Sequence, residues 1–284
     1  DPDILIKRGE AKAQLKNYQG ALEDMGKALA INFRQPVAYK KRGDVKFEMG
    51  NLEDALDDYD EAIRLNPQYW EAYDRRGNIK LQLGNASSAL EDVNRAITIK
   101  SDDATLYSNR ALVKSVLKDY QGALKDCDTA IDLDPEYGFY YKTRGDIKLA
   151  LRDPKGAVAD YTKATELVPD LAEAFEARGG VYYATRNFHE ALKDMDRAIK
   201  LKPDNFELYS KRGDIKYESK DIRGAIGDYD KSIQLNPNFA LNYFKRGMIK
   251  IITGNREGGC EDLKKADKLG FKGALEQIQK YCNR

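Results

Sequence analysis

The chain has 284 residues, and its 48 Lys and Arg against 47 Asp and Glu leave a formal net charge of +1. That balance removes the usual electrostatic case for nucleic acid as a partner. No apolar run approaches the roughly 18 residues a bilayer span needs, the oiliest being about Ile249 to Thr253. One His and three Cys leave little for a zinc site or a Cys/His nucleophile, so neither metal nor cofactor is expected. Charged residues at 33% and only eight prolines point to solvent-bathed helices rather than a sandwich or barrel.

From the start Asp1-Pro2-Asp3, which reads as a processed or cut end, Leu5, Arg8 and Gly9 begin a pattern that returns every 34 residues. Arg-Gly pairs place glycines at Gly9, Gly43, Gly77, Gly145, Gly179, Gly213 and Gly247, with Ala111 at the one site between. Four residues before each stands an aromatic: Tyr39, Tyr73, Tyr107, Tyr141, Phe175, Tyr209 and Tyr243, with Leu5 in the first unit. Small residues recur at Ala21, Ala55, Ala89, Ala123, Ala157, Ala191, Ala225 and Gly259. Seven positions later come Ala28, Ala62, Ala96, Ala130, Ala164, Ala198, Ser232 and Ala266. Within Pro36 to Asn66, the residues Tyr39, Gly43 and Phe47 keep a helical spacing, and Leu56, Tyr59, Ala62 and Ile63 keep it again. Gly50-Asn51 separates the two runs and Asn66-Pro67 ends the second. Each unit is therefore a helical hairpin with an oily flank that only the next unit can cover, which makes the array a solenoid.

This period, with its aromatic-x-x-x-Gly, Ala, Ala and Pro positions, resembles the tetratricopeptide repeat (TPR) family. The resemblance covers eight units over 1–271, at about 1–35, 36–69, 70–103, 104–137, 138–171, 172–205, 206–239 and 240–271, with 272–284 as a capping helix that turns Ala274, Ile278 and Tyr281 inward. It implies an all-α, right-handed superhelix of antiparallel hairpins. The chain departs from the family in carrying Arg, not Leu, just before the Gly in all eight units.

Numbering places within a unit, the seventh is always Arg (Arg8 through Arg246) and the twenty-third always Asp: Asp24, Asp58, Asp92, Asp126, Asp160, Asp194, Asp228 and Asp262. The eleventh is Lys in seven units, with Tyr182 the exception. At about 100° per residue, places 7 and 11 lie opposite place 9, so these charges are expected to pair between the two helices of a unit rather than meet a ligand. The Arg-Gly-Asp triplets at Arg42, Arg144 and Arg212 follow from the same repetition.

The resemblance implies a ligand groove lined by places 2, 5, 9, 12 and 13 of the first helices. Those places hold twelve acids against Lys40 and Lys142, with aromatic and aliphatic side chains between them, and place 6 supplies a basic edge (Lys7, Lys41, Arg75, Lys211, Lys245). The expected groove residues are Asp44, Phe47, Glu48, Asp74, Asn78, Leu81, Lys142, Asp146, Glu176, Tyr183, Asp214 and Tyr217. The expected ligand is a basic and apolar protein or peptide segment, with no nucleic acid. The cation pattern by which some family members hold an acidic chaperone tail is missing, since carboxylates stand at several of its positions. The last unit is apolar at its groove places (Leu241, Phe244, Met248, Ile251, Ile252) and is expected either to be partly covered by the terminal helix or to form an anchoring pocket or a self-association patch.

Cys127 takes a core position. A turn near Gly270 would bring Cys260 and Cys282 to one end of two antiparallel helices, either as a disulfide of an exported protein or as two thiols in a reducing cytosol. The segment around them resembles the C-termini of bacterial TPR proteins, some exported, which favours a periplasmic or exported setting over the cytoplasm. His189 has no partner for chemistry, and no phosphate loop, nucleophile elbow or metal motif is present. The sequence reads as a non-catalytic scaffold that binds a protein segment. The alternative is a structural subunit that self-associates through its repeat ends or through the apolar C-terminal surface at Phe244–Ile252.

Overall fold

A computed structural model describes residues 1–282, and the described residues form helices and turns without a strand. They fall into two compact units, divided between Leu151 and Arg152, inside the fifth of the expected repeats. Unit 1 contains α1 (Pro2–Gln14), α2 (Tyr18–Ile31), α3 (Pro36–Glu48), α4 (Leu52–Leu65), α5 (Trp70–Gln82), α6 (Ala86–Ile99), α7 (Ala104–Val116), α8 (Tyr120–Leu133) and α9 (Gly138–Ala150). Unit 2 contains α10 (Pro154–Leu167), α11 (Ala172–Ala184), α12 (Phe188–Leu201), α13 (Phe206–Glu218), α14 (Ile222–Leu235), α15 (Ala240–Ile252), α16 (Arg256–Lys268) and α17 (Ala274–Tyr281).

The hairpins α1–α2, α3–α4, α5–α6 and α7–α8 stack in unit 1, each second helix packing on the next first helix, and α9 packs on both α8 and α7. In unit 2 the hairpins α11–α12, α13–α14 and α15–α16 stack in the same way, with α10 packed on α11 and α17 on α16. The turn between paired helices needs one left-handed residue. Gly50, Gly84 and Gly254 supply it without strain, whereas Lys16, Lys118, Arg186 and Lys220 adopt positive φ despite their side chains. An Asn or Asp follows each of these residues as N-cap, and Asn17, Asp119, Asp221 and Asn255 each accept a bond from the backbone N–H three residues on.

Close helix approach explains the invariant small places. A Cβ at Gly247 would lie 2.9 Å from the carbonyl oxygen of Gly259, so α15 and α16 meet backbone to backbone. Above each such contact, a bulky second-helix residue (Met25, Tyr59, Val93, Met195, Tyr229) is fully or almost fully buried. One repeat position varies in a matched pair: Ser232 stands in the Ala series and Asn242 where other first helices bury an apolar residue. The Asn242 amide donates to the Ser232 hydroxyl, Ser210 donates to Asn242 at 2.7 Å, and Ser232 donates to the Phe206 carbonyl at 2.7 Å. A fully satisfied buried network of this kind fixes one register between α14 and α15.

The repeated charges lie in this interior. Asp92 is buried, and the Arg76 fork donates to its two oxygens from Nε at 2.9 Å and Nη2 at 2.6 Å, while Lys80 lies 2.8 Å from it. The Arg–Asp pair repeats at Arg8–Asp24, Arg42–Asp58, Arg110–Asp126, Arg178–Asp194, Arg212–Asp228 and Arg246–Asp262, with the Lys present in all of these but the Arg178 unit, where Tyr182 takes its place. Hydrogen bonds from Arg8 and Lys12 hold the Asp24 carboxyl well below the usual carboxylate range. Each of these Arg residues except Arg8 also sits over the aromatic ring three residues earlier, as Arg76 does over Tyr73 at 5.5 Å. A second reach, from one hairpin to the one before it, was not legible in the intra-unit spacing. Nη1 of Arg76 bonds Asp60 at 2.6 Å, Arg110 bonds Asn94, Arg144 bonds Asp128, Arg178 bonds Thr162, Arg212 bonds Asp196 and Arg246 bonds Asp230. One guanidinium therefore fastens its own hairpin and staples it to the preceding helix.

At the C-terminal end, Ala274 is buried under the fold and Ile278 and Tyr281 are half-buried. The Phe271 ring packs on Phe244 with centroids 4.5 Å apart, so the turn before α17 covers part of the apolar face of α15, while Ile252 stays 68% exposed. Cys260 and Cys282 are joined in a disulfide with Cα atoms 5.7 Å apart. Cys127 is buried in α8 and takes no part in it. Residues 283 and 284 of the expected capping segment lie outside the described residues.

Candidate functional site

The face of the first helices away from the Arg–Asp ladder holds the expected groove residues, and its geometry differs between acids. In unit 1, Asp44 accepts a bond from Tyr59 Oη at 2.9 Å and from Lys40 Nζ at 2.8 Å, with Arg75 3.9 Å away. Glu10 pairs with Lys41, and Asp146 pairs with Lys142 at 2.6 Å. In unit 2, Asp214 accepts from Tyr229 Oη at 2.7 Å and from Lys245 at 2.7 Å on both oxygens, and Glu176 pairs with Lys211. The place 6 cations are thus not a separate rim. Lys41, Arg75, Lys211 and Lys245 cross to Glu10, Asp44, Glu176 and Asp214 of the preceding hairpin and offset those acids.

Burial and the adjoining carboxylates give the tyrosines that support these acids a raised pKa. Tyr59 and Tyr229 are raised by burial first and then by Asp44 and Asp214 respectively, which keeps both hydroxyls protonated as donors.

Asp74, on α5, is the exception in unit 1. Its Oδ1 accepts from Asn109 Nδ2 at 2.7 Å and its Oδ2 from Asn78 Nδ2 at 3.4 Å, and among the described residues it ion-pairs with no cation. The reason is visible in the place 6 series, where Asn109 stands in α7 instead of Lys or Arg. Burial pushes the Asp74 carboxyl up, against the opposing pull of Asn109, Arg75 and Lys40.

The apolar groove residues also divide. Phe47 and Leu81 are half-buried against the cores of their own hairpins, as are Tyr183 and Tyr217 in unit 2. By contrast Leu112 is 42% exposed, Val116 60%, Phe139 42% and Leu149 43%, all on α7 and α9 of unit 1. Val116 and Asn109 were not singled out by the sequence. Their signal was the absence of the residue types that fill the same places elsewhere. Glu48 is exposed beside Phe47. His189 is a solvent-facing side chain near Glu190. Among the described residues, no group of three or more His, Cys, Asp or Glu is placed to hold a metal, and no helix is long and apolar enough to cross a membrane.

Three family models match the chain: a TPR repeat model at residues 43–84, and tetratricopeptide repeat models at 71–103 and at 142–206 with 177–238. With the stacked hairpins, these matches make the chain a member of the tetratricopeptide repeat family. Its fold is similar to a tetratricopeptide repeat protein from Parabacteroides merdae, with 23% identity, 87% of this chain and 98% of that one covered, and a TM-score of 0.61. It is also similar to YrrB, described as a TPR protein with an unusual peptide-binding site (23% identity, 65% and 95% covered, TM-score 0.50). A third likeness is to MamA from Desulfovibrio magneticus (20% identity, 60% and 96% covered, TM-score 0.55). No curated protein matches the sequence. At these identities the likeness is one of fold, and the family is one of protein-interaction scaffolds.

Proposed function

We infer that the chain is a non-catalytic scaffold whose first-helix face binds a segment of another protein. The observation that carries this reading is the division of labour between faces. The ladder charges are consumed inside the hairpins, while Glu48, Asp74 and Asn78 and the exposed Leu112, Val116, Phe139 and Leu149 remain on the opposite face of unit 1. Asp44 and Asp214 contribute mainly to the groove's own framework through their Tyr and Lys partners. Glu176 and Asp146 shape the surface as neutralised pairs. The TPR likeness to a peptide-binding protein agrees with this reading. The disulfide between Cys260 and Cys282 fits an oxidising compartment such as the periplasm.

A pull-down from native lysate tests it, comparing wild type with an Asp74→Lys, Leu112→Lys double variant that spares Asp44 and Asp214. A partner recovered by wild type and lost by an equally stable variant is the expected result. Equal recovery by both would move the interface off this face.

A further inference from the structure

The neutralised and unneutralised parts of the unit 1 groove define a chemistry for the ligand. Asn109, Leu112 and Val116 are spaced i, i+3 and i+7 on α7, so they share one face of that helix. Asn109 anchors that face to Asp74 on α5, and α7 in turn packs on α9, which carries Phe139 and Leu149. A carboxylate has about four acceptor sites, and Asp74 uses two of them on amides, one long. None of the nearby cations forms an ion pair with Asp74: Lys40 is bonded to Asp44, Arg75 reaches to 3.9 Å from Asp44, and Lys41 is paired with Glu10. A half-buried carboxylate whose hydrogen bonds come only from amides gains most from a ligand that brings a cation into contact. The next apolar surface along the groove, at Leu112 and Val116, is uncovered.

We propose that unit 1 binds an extended peptide segment in which a Lys or Arg seats on Asp74 and bulky apolar residues seat on Leu112–Val116 and on Leu149. The spacing follows from packing. Neighbouring helix axes lie about 8–10 Å apart, and an extended chain advances about 3.3 Å per residue. The first apolar residue therefore falls about three residues from the cation and the second about six. This proposal rests on the scaffold reading above and narrows it to one partner chemistry.

A random 12-residue phage-displayed peptide library, selected on the wild-type chain and counter-selected on an Asp74→Asn, Leu112→Ser double variant, tests it. Enriched peptides should carry Lys or Arg with bulky apolar residues about three and six positions away. In fluorescence polarisation, Asp74→Asn and Leu112→Ser should each weaken the best peptide about 10-fold or more, as should Glu in place of the peptide's cation. Melting curves must show both variants folded. Enriched peptides without a basic residue, or bound equally by Asp74→Asn, overturn this proposal and leave the scaffold reading standing. Failure to enrich any peptide over the double variant overturns both.

Discussion

The most informative single residue is Asp74, because its environment separates folding from binding. Asn at this position could still accept the Asn109 bond while removing a charge that burial disfavours. Asp74→Asn should therefore leave chemical denaturation unchanged or shift it toward greater stability by up to about 1 kcal/mol, while weakening the ligand. A pH dependence follows from the same group, faced by Lys40 from α3, Arg75 on α5, Asn109 on α7 and Asp103 at the start of α7. Its folded-state pKa is raised, so the native form holds the proton to higher pH than the unfolded chain, and this residue favours folding less as pH rises through that window. Ligand binding runs the other way, since a cation requires the carboxylate: affinity should climb as pH rises through the raised titration range of Asp74 and then level off. A titration of peptide affinity against pH, flat for Asp74→Asn, checks this. The opposite case is Asp92, where Ala would remove the carboxylate shared by Arg76 and Lys80 in a partly buried site, leaving Arg76 only its bond to Asp60. That change should cost about 2–4 kcal/mol in urea denaturation without touching the groove face.

At the scale of the helix, the stapling arginines reveal where the ladder is incomplete. The residues that receive Nη1 from the next hairpin are Asp60, Asn94, Asp128, Thr162, Asp196 and Asp230, but in α2 the position is Gly26. Nothing lies within 4 Å of where a Cβ at Gly26 would be, so a side chain fits. Gly26→Asp would replace a poor helix former and offer Arg42 the second carboxylate its neighbours have. Helix propensity contributes about 0.3–0.5 kcal/mol and the part-exposed pair up to about 1 kcal/mol. The expected result is a rise of about 1–4 °C in the melting midpoint, measured by circular dichroism. No change would mean that the staple is compensated by water at this joint. The hairpin pattern itself was readable from sequence because close approach keeps Gly at Gly247 and a small residue at the buried Ala225, and because αL turn residues and Asn or Asp caps punctuate each repeat. The Ser232–Asn242 pair was not readable, since the two positions lie in different repeats and only their contact across α14 and α15 explains either.

For the whole molecule, a stack held by nearest-neighbour interfaces is weakest at its ends, where one flank has no next hairpin. Here the C-terminal flank carries α17, with the Cys260–Cys282 disulfide tying it to α16 and Arg256 donating to the Tyr281 carbonyl. Closing a loop of this length stabilises by about 3 kcal/mol in the chain-entropy model. Reduction should then raise amide exchange across α17 and the Phe271 turn while leaving α5–α9 protected, as hydrogen–deuterium exchange with and without reductant would show. Non-reducing mass spectrometry reads the bond directly.

The sequence by itself determined the all-helical repeat architecture, the alignment of Arg with Asp, and which places share the first-helix face opposite that alignment. Each of these is a periodic consequence of helix geometry and of residues that recur at fixed spacing, and periodicity survives in one dimension. Tertiary structure decided which groove charges remain available. Lys41 and Glu10 are separated by 31 positions, Asn109 and Asp74 by 35, and neither partner's type predicts the other. Whether a carboxylate is spent on its own chain or left for a ligand depends on the reach of a side chain from the adjacent hairpin, which exists only once the hairpins are stacked.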